Sequence, residues 1–360
     1  MSPAGAHAVG SARPRPARRQ MVGVLLGLAV LIGLVMTAFA LPALHSSPRD
    51  VPIGVAGPSA AVSRLTAGLA QQAPGAFDPV RYADEAALVE AIRDRQVYGG
   101  IVVTAGGPVV LTAPPGSPTL AQGLSAMAAG LGQQAGRPVP VREVVSLPTG
   151  DPHGIGVGIA MIPLFIGSVA PVILLTRVAR RPWARLFGVL CSAGLVGATL
   201  GALLLWYGVV DTWALPAVGI ALSLAAMSAP LLGLLSLGGM PALGLGAAVF
   251  LLLGNPLSGA QTAPELVPHG WSMLGALLPP GASGQVLRSF FYFDGAGAVA
   301  SLLVLLGWLA LGLVLVAVGA ARRGVRAGAE PSGIPAGGTS PAGSEHSPSA
   351  PAGTAAPAPH

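Results

Sequence analysis

The stretch MVGVLLGLAVLIGLVMTAFALPA, residues 21–43, decides how the rest of the chain is read. It contains no charged residue. At about 1.5 Å per residue, a helix of this length crosses a bilayer core of roughly 30 Å. Arg13, Arg15, Arg18 and Arg19 stand just before it, in the basic tail 1–20. Short basic segments beside an apolar run stay in the cytoplasm. Residues 21–43 therefore read as an uncleaved first transmembrane helix. Ala38-Phe39-Ala40 also has the form of a signal-peptide cleavage site, but the apolar run exceeds the usual h-region of about 7–15 residues. Either reading puts residue 44 onward outside the cytoplasm.

Composition agrees with a membrane protein. Hydrophobic residues make up 52% of the 360, and charged residues only 9%, against about 25% in a soluble domain. A water-facing surface needs more charge than that, whereas lipid needs none. The net charge is +6, and every basic residue is an arginine. A phosphate-binding G-x-x-x-x-G-K-[ST] loop needs its lysine, so this chain does not hydrolyse ATP by that route. The arginines flank apolar runs and read as topology determinants, not as a nucleic-acid surface. The lone cysteine, Cys191, lies inside an apolar run and reads as a packing residue, which leaves the outside domain without a disulfide. The histidines are scattered, and no Cys/His cluster has metal-ligand spacing. No nucleophile–base pair is brought together by this topology. The reading is of a protein with no catalytic residues, no metal site and no cofactor.

Residues 44–152 change character as Asp, Glu and Arg return. The run 51–55 reads as a buried strand and 60–72 as a helix. Asp84 is placed to cap a helix through Arg95, with Leu88 and Ile92 on one face. Residues 98–104 and 108–112 read as strands joined at Gly106-Gly107, a hairpin turn and not a phosphate loop. A helix over 117–134 and a strand over 139–147 follow. Strands alternating with helices predict a small α/β domain, inserted between the first and second spans.

From residue 155 the apolar runs resume. They predict a five-helix membrane domain over 155–320, with spans at 155–175, 186–209, 215–237, 240–257 and 296–320. The fold class is thus an α-helical integral membrane protein of about six transmembrane helices. Arg177, Arg180, Arg181 and Arg185 sit between the second and third spans, and Arg322, Arg323 and Arg326 follow the sixth. These clusters and the 1–20 tail all face the cytoplasm if there are six spans, with both termini inside. The tail 321–360 is rich in Pro, Gly, Ser and Ala beyond its arginines, a composition that predicts disorder. The pairs Gly154/Gly158 and Gly197/Gly201 fit G-x-x-x-G, but 52 glycines make such matches expected by chance.

Two stretches stand out as candidate sites. The basic loop RVARRPWAR, with Arg177, Arg180, Arg181, Trp183 and Arg185, is a docking element for a cytoplasmic partner or simply a positive-inside anchor. The loop 255–295 is apolar but broken by prolines, which predicts irregular backbone lying at or dipping into the membrane. Within it, 283–291 reads as a short helix. Its candidate gate residues are Asn255, Pro256, Pro279, Pro280, Arg288, Phe291, Tyr292 and Asp294. The alternative is an interfacial cap anchored by its aromatics. No Asp, Glu, Arg or His lies well inside any span, which argues against a self-powered ion-coupled transporter.

The segments VYGGIVV at 97–103, LLLGNPLSGA at 251–260 and LLPPGASGQVLRSFFYFDG at 277–295 carry a resemblance. Together with the layout over 21–320, they resemble the bacterial type-2 ABC exporter permeases, akin to the phage infection protein (Pip) family. The resemblance implies a dimer of six-helix units in the lipid bilayer, homo- or heteromeric. It implies a separate ATP-binding-cassette ATPase docked at Arg177–Arg185, an outer gate in the broken loop, and outward movement of an amphipathic or lipid-like substrate. A scaffold or sensor, whose α/β domain binds an envelope partner, is the other expectation.

Overall fold

The computed structural model describes residues 47–252, 263–267 and 270–328, with side chains to residue 323, and thirteen residues scattered over 21–40. Within 21–40 the described residues are helical and, apart from half-buried Ala40, exposed. The expectations for residues 1–20, for Asn255 and Pro256, and for the tail beyond 328 fall outside the described residues. Residues Arg322–His360 form a unit separate from Met1–Ala321.

The α/β domain begins with β1 (Val51–Ala56), α1 (Ser59–Gln72), β2 (Phe77–Tyr82), α2 (Glu85–Arg93) and β3 (Gly99–Thr104). It continues with β4 (Gly107–Thr112), α3 (Pro118–Ala135) and β5 (Val141–Glu143). The five strands run in the order β2-β1-β3-β4-β5. β1 is parallel to both β2 and β3, β3 and β4 form an antiparallel hairpin, and β4 is parallel to β5. β1 and β3 are central and buried along most of their length, as expected of strands covered on both faces. On one face Val51, Ile53, Ile101 and Val110 pack with Leu120, Leu124 and Ala128 of α3. On the other, Ala56, Val102 and Leu111 pack with Leu88, Ala91 and Ile92 of α2. Fully buried side chains such as Ile53, Leu88, Ile101 and Leu111 contribute roughly 1.5–3 kcal/mol each.

Helix boundaries follow from caps. Asp84 accepts from Ala87 N at 2.8 Å at the start of α2. Ser117 caps α3, with Pro118 in its first turn, where a missing N–H costs nothing. Two strands differ from expectation. β2 carries Pro79 and alternates poorly, so it does not read as a strand, yet it is the sheet's edge, where a proline is tolerated. The strand expected over 139–147 shrinks to Val141–Glu143, because its pairing with β4 ends at Thr112.

Four helices are long and apolar enough to cross a membrane: α4 (Gly156–Val178), α5 (Pro182–Trp206), α6 (Ala214–Leu252) and the last helix, α9 (Val299–Gly328). α6 is not straight. Gly239 has φ 68° and ψ −158°, outside helical geometry. A side chain at Gly246 would meet Leu234 and Leu231, so the chain folds back on itself at Gly239. Those residues would lie almost 20 Å apart along a straight helix. The turn expected at 238–240 is therefore present. The first arm matches the span expected over 215–237, and the second, described to Leu252, is a shorter arm of about 20 Å.

Close packing depends on small residues. A Cβ at Gly197 would come within 2.8 Å of Ala221 Cβ, and one at Gly201 within 2.8 Å of Ala217 Cβ. This pair does hold α5 against α6. Gly154 instead lies outside α4, at φ 66°, so Gly154/Gly158 is not a helix-packing pair. Cys191 is exposed on α5 and is not a core residue, contrary to expectation.

Candidate functional site

The broken apolar loop forms the junction between the α/β domain and the long helices. It holds a 3-10 turn (Pro264–Leu266), α7 (Trp271–Leu277) and α8 (Pro279–Tyr292). α8 is longer than the helix expected over 283–291. Leu278 is extended and ends α7, and Pro279 and Pro280, which need no N–H partner in a first turn, open α8. α8 is then buried on almost every side.

Each face of α8 belongs to a different body. Leu287 and Phe291 enter the core formed by α4, α5 and α6. Ala282 and Val286 pack with Ala226 of α6 and Leu305 of α9. Phe293, just past its end, completes the α2-side core of the α/β domain. From the other end of the loop, Ala263 and Leu266 complete the α3-side core. The loop thus supplies side chains to both faces of the sheet as well as to the helical core.

Polar contacts fasten the same junction. Arg288 is 2% exposed, and its Nη1 donates to Gly116 O at 2.8 Å. Arg95 follows α2 and reaches the opposite way. Its Nη2 donates to Gln285 Oε1 at 2.9 Å, and its Nη1 donates to Ser289 Oγ and to Gln285 O. The guanidinium also lies 5.4 Å from the centre of the Phe293 ring, a cation–π distance. Burial, then the neighbouring Arg288, lowers the Arg95 pKa to about 10. Arg95 sits at φ 59°, a left-handed conformation costing of order 1 kcal/mol for a non-glycine residue, which its contacts offset.

Tyr98 donates to Glu265 Oε2 at 2.7 Å, tying β3 to the 3-10 turn. Burial, then Glu265, raises its pKa. Tyr292 donates to Asp151 Oδ2 at 2.6 Å. Asp151 also accepts from Ile155 N at 2.8 Å and Gly156 N at 2.9 Å, so it caps α4 while binding α8. Trp308 Nε1 of α9 donates to Leu277 O at 2.8 Å, where α7 ends.

Of the candidate gate residues, Pro279, Pro280, Arg288, Phe291 and Tyr292 therefore converge on one helix. Asp294 is exposed, at φ 51° in the turn beyond it. Pro280 also lines a cavity of about 200 Å³ with Met161 and Phe165 of α4 and Met227 and Phe250 of α6.

The candidate docking residues divide differently. Arg177 lies in the last turn of α4, Arg180 and Arg181 in the connector, and Trp183 and Arg185 in the first turns of α5. Arg177, Arg180, Arg181 and Trp183 are exposed. Arg185 is not, and donates to Ala179 O at 2.8 Å and Thr176 O at 3.4 Å. It satisfies carbonyls left open at the end of α4 and is not available for docking.

Sequence reasoning missed Arg95, Tyr98, Asp151, Glu265, Gln285 and Ser289. Asp151 carried a signal, since an acidic residue just before an apolar helix is a plausible cap. The others are joined by contacts across more than a hundred residues, with no local pattern.

No family model matches the chain, and neither a curated protein nor a solved structure shows significant similarity to it.

Proposed function

We propose that this chain is a permease-like membrane subunit of an ABC-type exporter. It moves an amphipathic or lipid-like substrate outward, and a separate chain hydrolyses the ATP. In this reading six spans place both termini in the cytoplasm and the α/β domain outside, and two such units form the translocating dimer. The observation that carries the reading is α8. It packs at once against α4, α6, α9 and the α/β domain, so relative movement of helices and domain has to pass through it. A second observation supports an external energy source. Among the described residues, the buried polar side chains of α4 to α6 are Ser168, Ser223 and Ser228, none of which carries a proton or an ion at neutral pH.

The ATPase would dock on Arg177, Arg180, Arg181 and Trp183, the exposed part of the basic connector. The test is a pull-down from mild detergent. The native chain is compared with one in which Arg177, Arg180 and Arg181 are changed to Gln, after its insertion has been checked. Recovery of an ATPase by the native chain alone supports the reading, and recovery by neither removes its energy source.

The second reading is a membrane scaffold or sensor. It is favoured by a cavity of about 290 Å³ in the α/β domain, lined by Val51, Ile53, Phe77, Leu120, Leu124 and Leu266. Such an apolar pocket suits a small ligand, and an ATPase-free preparation that binds an envelope component would favour this reading.

A further inference from the structure

The junction between the α/β domain and α8 encloses a cavity of about 140 Å³ on the α2 side of the sheet. Its lining includes Arg95, Gln96, Tyr98, Gly116, Glu265 and Phe293. That volume is well above the roughly 10–15 Å³ that a single water needs. Gln96 is exposed and marks the mouth, whereas Gly116 and Phe293 are buried.

The charges around this space do not balance. Arg95 and Glu265 line it. Arg288 stands behind the wall, donating to the lining Gly116 carbonyl at 2.8 Å. Two guanidiniums thus accompany one carboxylate, which leaves a net positive charge in a largely buried place. Burial, then Arg288, lowers the Arg95 pKa only to about 10, so its guanidinium stays charged at neutral pH. Asp94 and Asp294, next in sequence to Arg95 and Phe293, are exposed. Arg49, whose backbone N–H donates to Glu265 O at 3.2 Å, brings no negative charge. Buried charge is ordinarily paired.

Arg95 also has donors to spare. Among the described residues its side chain makes three hydrogen bonds, all to neutral oxygens of Gln285 and Ser289. A guanidinium has five N–H groups. The Nε–H and one Nη2–H remain, and an oxyanion takes such a pair bidentately. Glu265 is engaged elsewhere, its Oε2 accepting from Tyr98 at 2.7 Å.

We infer that this cavity is a binding site for a small oxyanion group, a carboxylate or a phosphate, held by Arg95 with Arg288 close behind. The group arrives either as a free solute or as the headgroup of an anionic lipid. The site is the same whether the chain is a permease or a sensor. Because Arg95 is bonded to Gln285 and Ser289 of α8, an anion bound there sits where domain and helices meet.

Saturable binding tests this. The full chain, purified in mild detergent, is titrated with radiolabelled inorganic phosphate and with radiolabelled acetate at constant ionic strength. The native chain should hold a single anion, and Arg95→Gln should weaken binding by about tenfold or more. Arg95 also fastens α2 to α8, so a second variant separates binding from folding. Glu265→Gln keeps an oxygen for the Tyr98 hydroxyl but removes the opposing charge, and should tighten binding about tenfold. A purely structural cluster predicts no tightening. Mass spectrometry of organic extracts distinguishes the two sources. An anionic lipid retained by the native chain and lost from Arg95→Gln assigns the oxyanion to a headgroup, whereas probe binding without retained lipid assigns it to a solute. The inference is overturned if neither probe binds and no anionic lipid is retained. It is also overturned if Glu265→Gln leaves the measured affinity unchanged, or if Arg95→Gln retains the lipid equally.

Discussion

At Arg288 a guanidinium buried to 2% exposure meets the Gly116 carbonyl at 2.8 Å. Hydrogen bonds from charged groups are worth about 1.5–3 kcal/mol, and removing one partner leaves the other unsatisfied. Arg288→Met should therefore destabilise the solubilised protein by about 2 kcal/mol in chemical unfolding. It should also raise the rate at which protease releases the α/β domain. Unchanged unfolding and unchanged cleavage would show that the contact does not fasten the domain. Asp151 serves two helices, accepting two N–H groups of α4 and the Tyr292 hydroxyl. Asp151→Ala should cost about 1–2 kcal/mol for the cap alone. Tyr292→Phe, which leaves the cap in place, should cost less, and the two effects should not add, because they share one carboxylate. Asp84→Ala affects only α2, with an expected loss of about 1 kcal/mol in the same assay.

Elements differ in how far the sequence revealed them. β1, β3, β4, α1, α2 and α3 were legible because their caps and apolar runs are local. The long apolar helices were legible because length and charge deficit suffice to mark them. The turn at 238–240 was legible from its paired glycines, and Gly239 supplies the positive φ that the fold-back needs. β2 was not legible, since an edge strand interrupted by Pro79 has no alternation to detect. The role of α8 was legible only in part. Pro279, Pro280, Arg288 and the aromatics marked an unusual stretch. That Phe293 and Leu266 finish the two cores of a sheet formed some 200 residues earlier has no local signature. Among the small-residue pairs, chance could not be separated from packing without the neighbouring helix. Gly201 faces Ala217, whereas Gly154 lies outside any helix. Gly201→Val should force α5 and α6 apart and lower stability by about 1–3 kcal/mol. Gly194→Val, on the same helix but with open space around it, should be close to neutral in parallel thermal unfolding.

At the scale of the whole molecule, an α/β domain and a set of long apolar helices share one loop that packs into both. This arrangement suits a permease whose outer domain and helices move together, and equally a sensor whose domain reports through the helices. Both readings require the domain and the basic connector to lie on opposite sides of the membrane. That requirement can be measured directly. In a Cys191→Ser background, Asp78→Cys places one thiol on the edge strand of the α/β domain, and Arg180→Cys places one in the connector between α4 and α5. Intact cells are treated with a membrane-impermeant maleimide, and then again after permeabilisation. Asp78→Cys should be labelled in intact cells, and Arg180→Cys only after permeabilisation. The reverse pattern, or labelling of both sites in intact cells, would contradict that requirement.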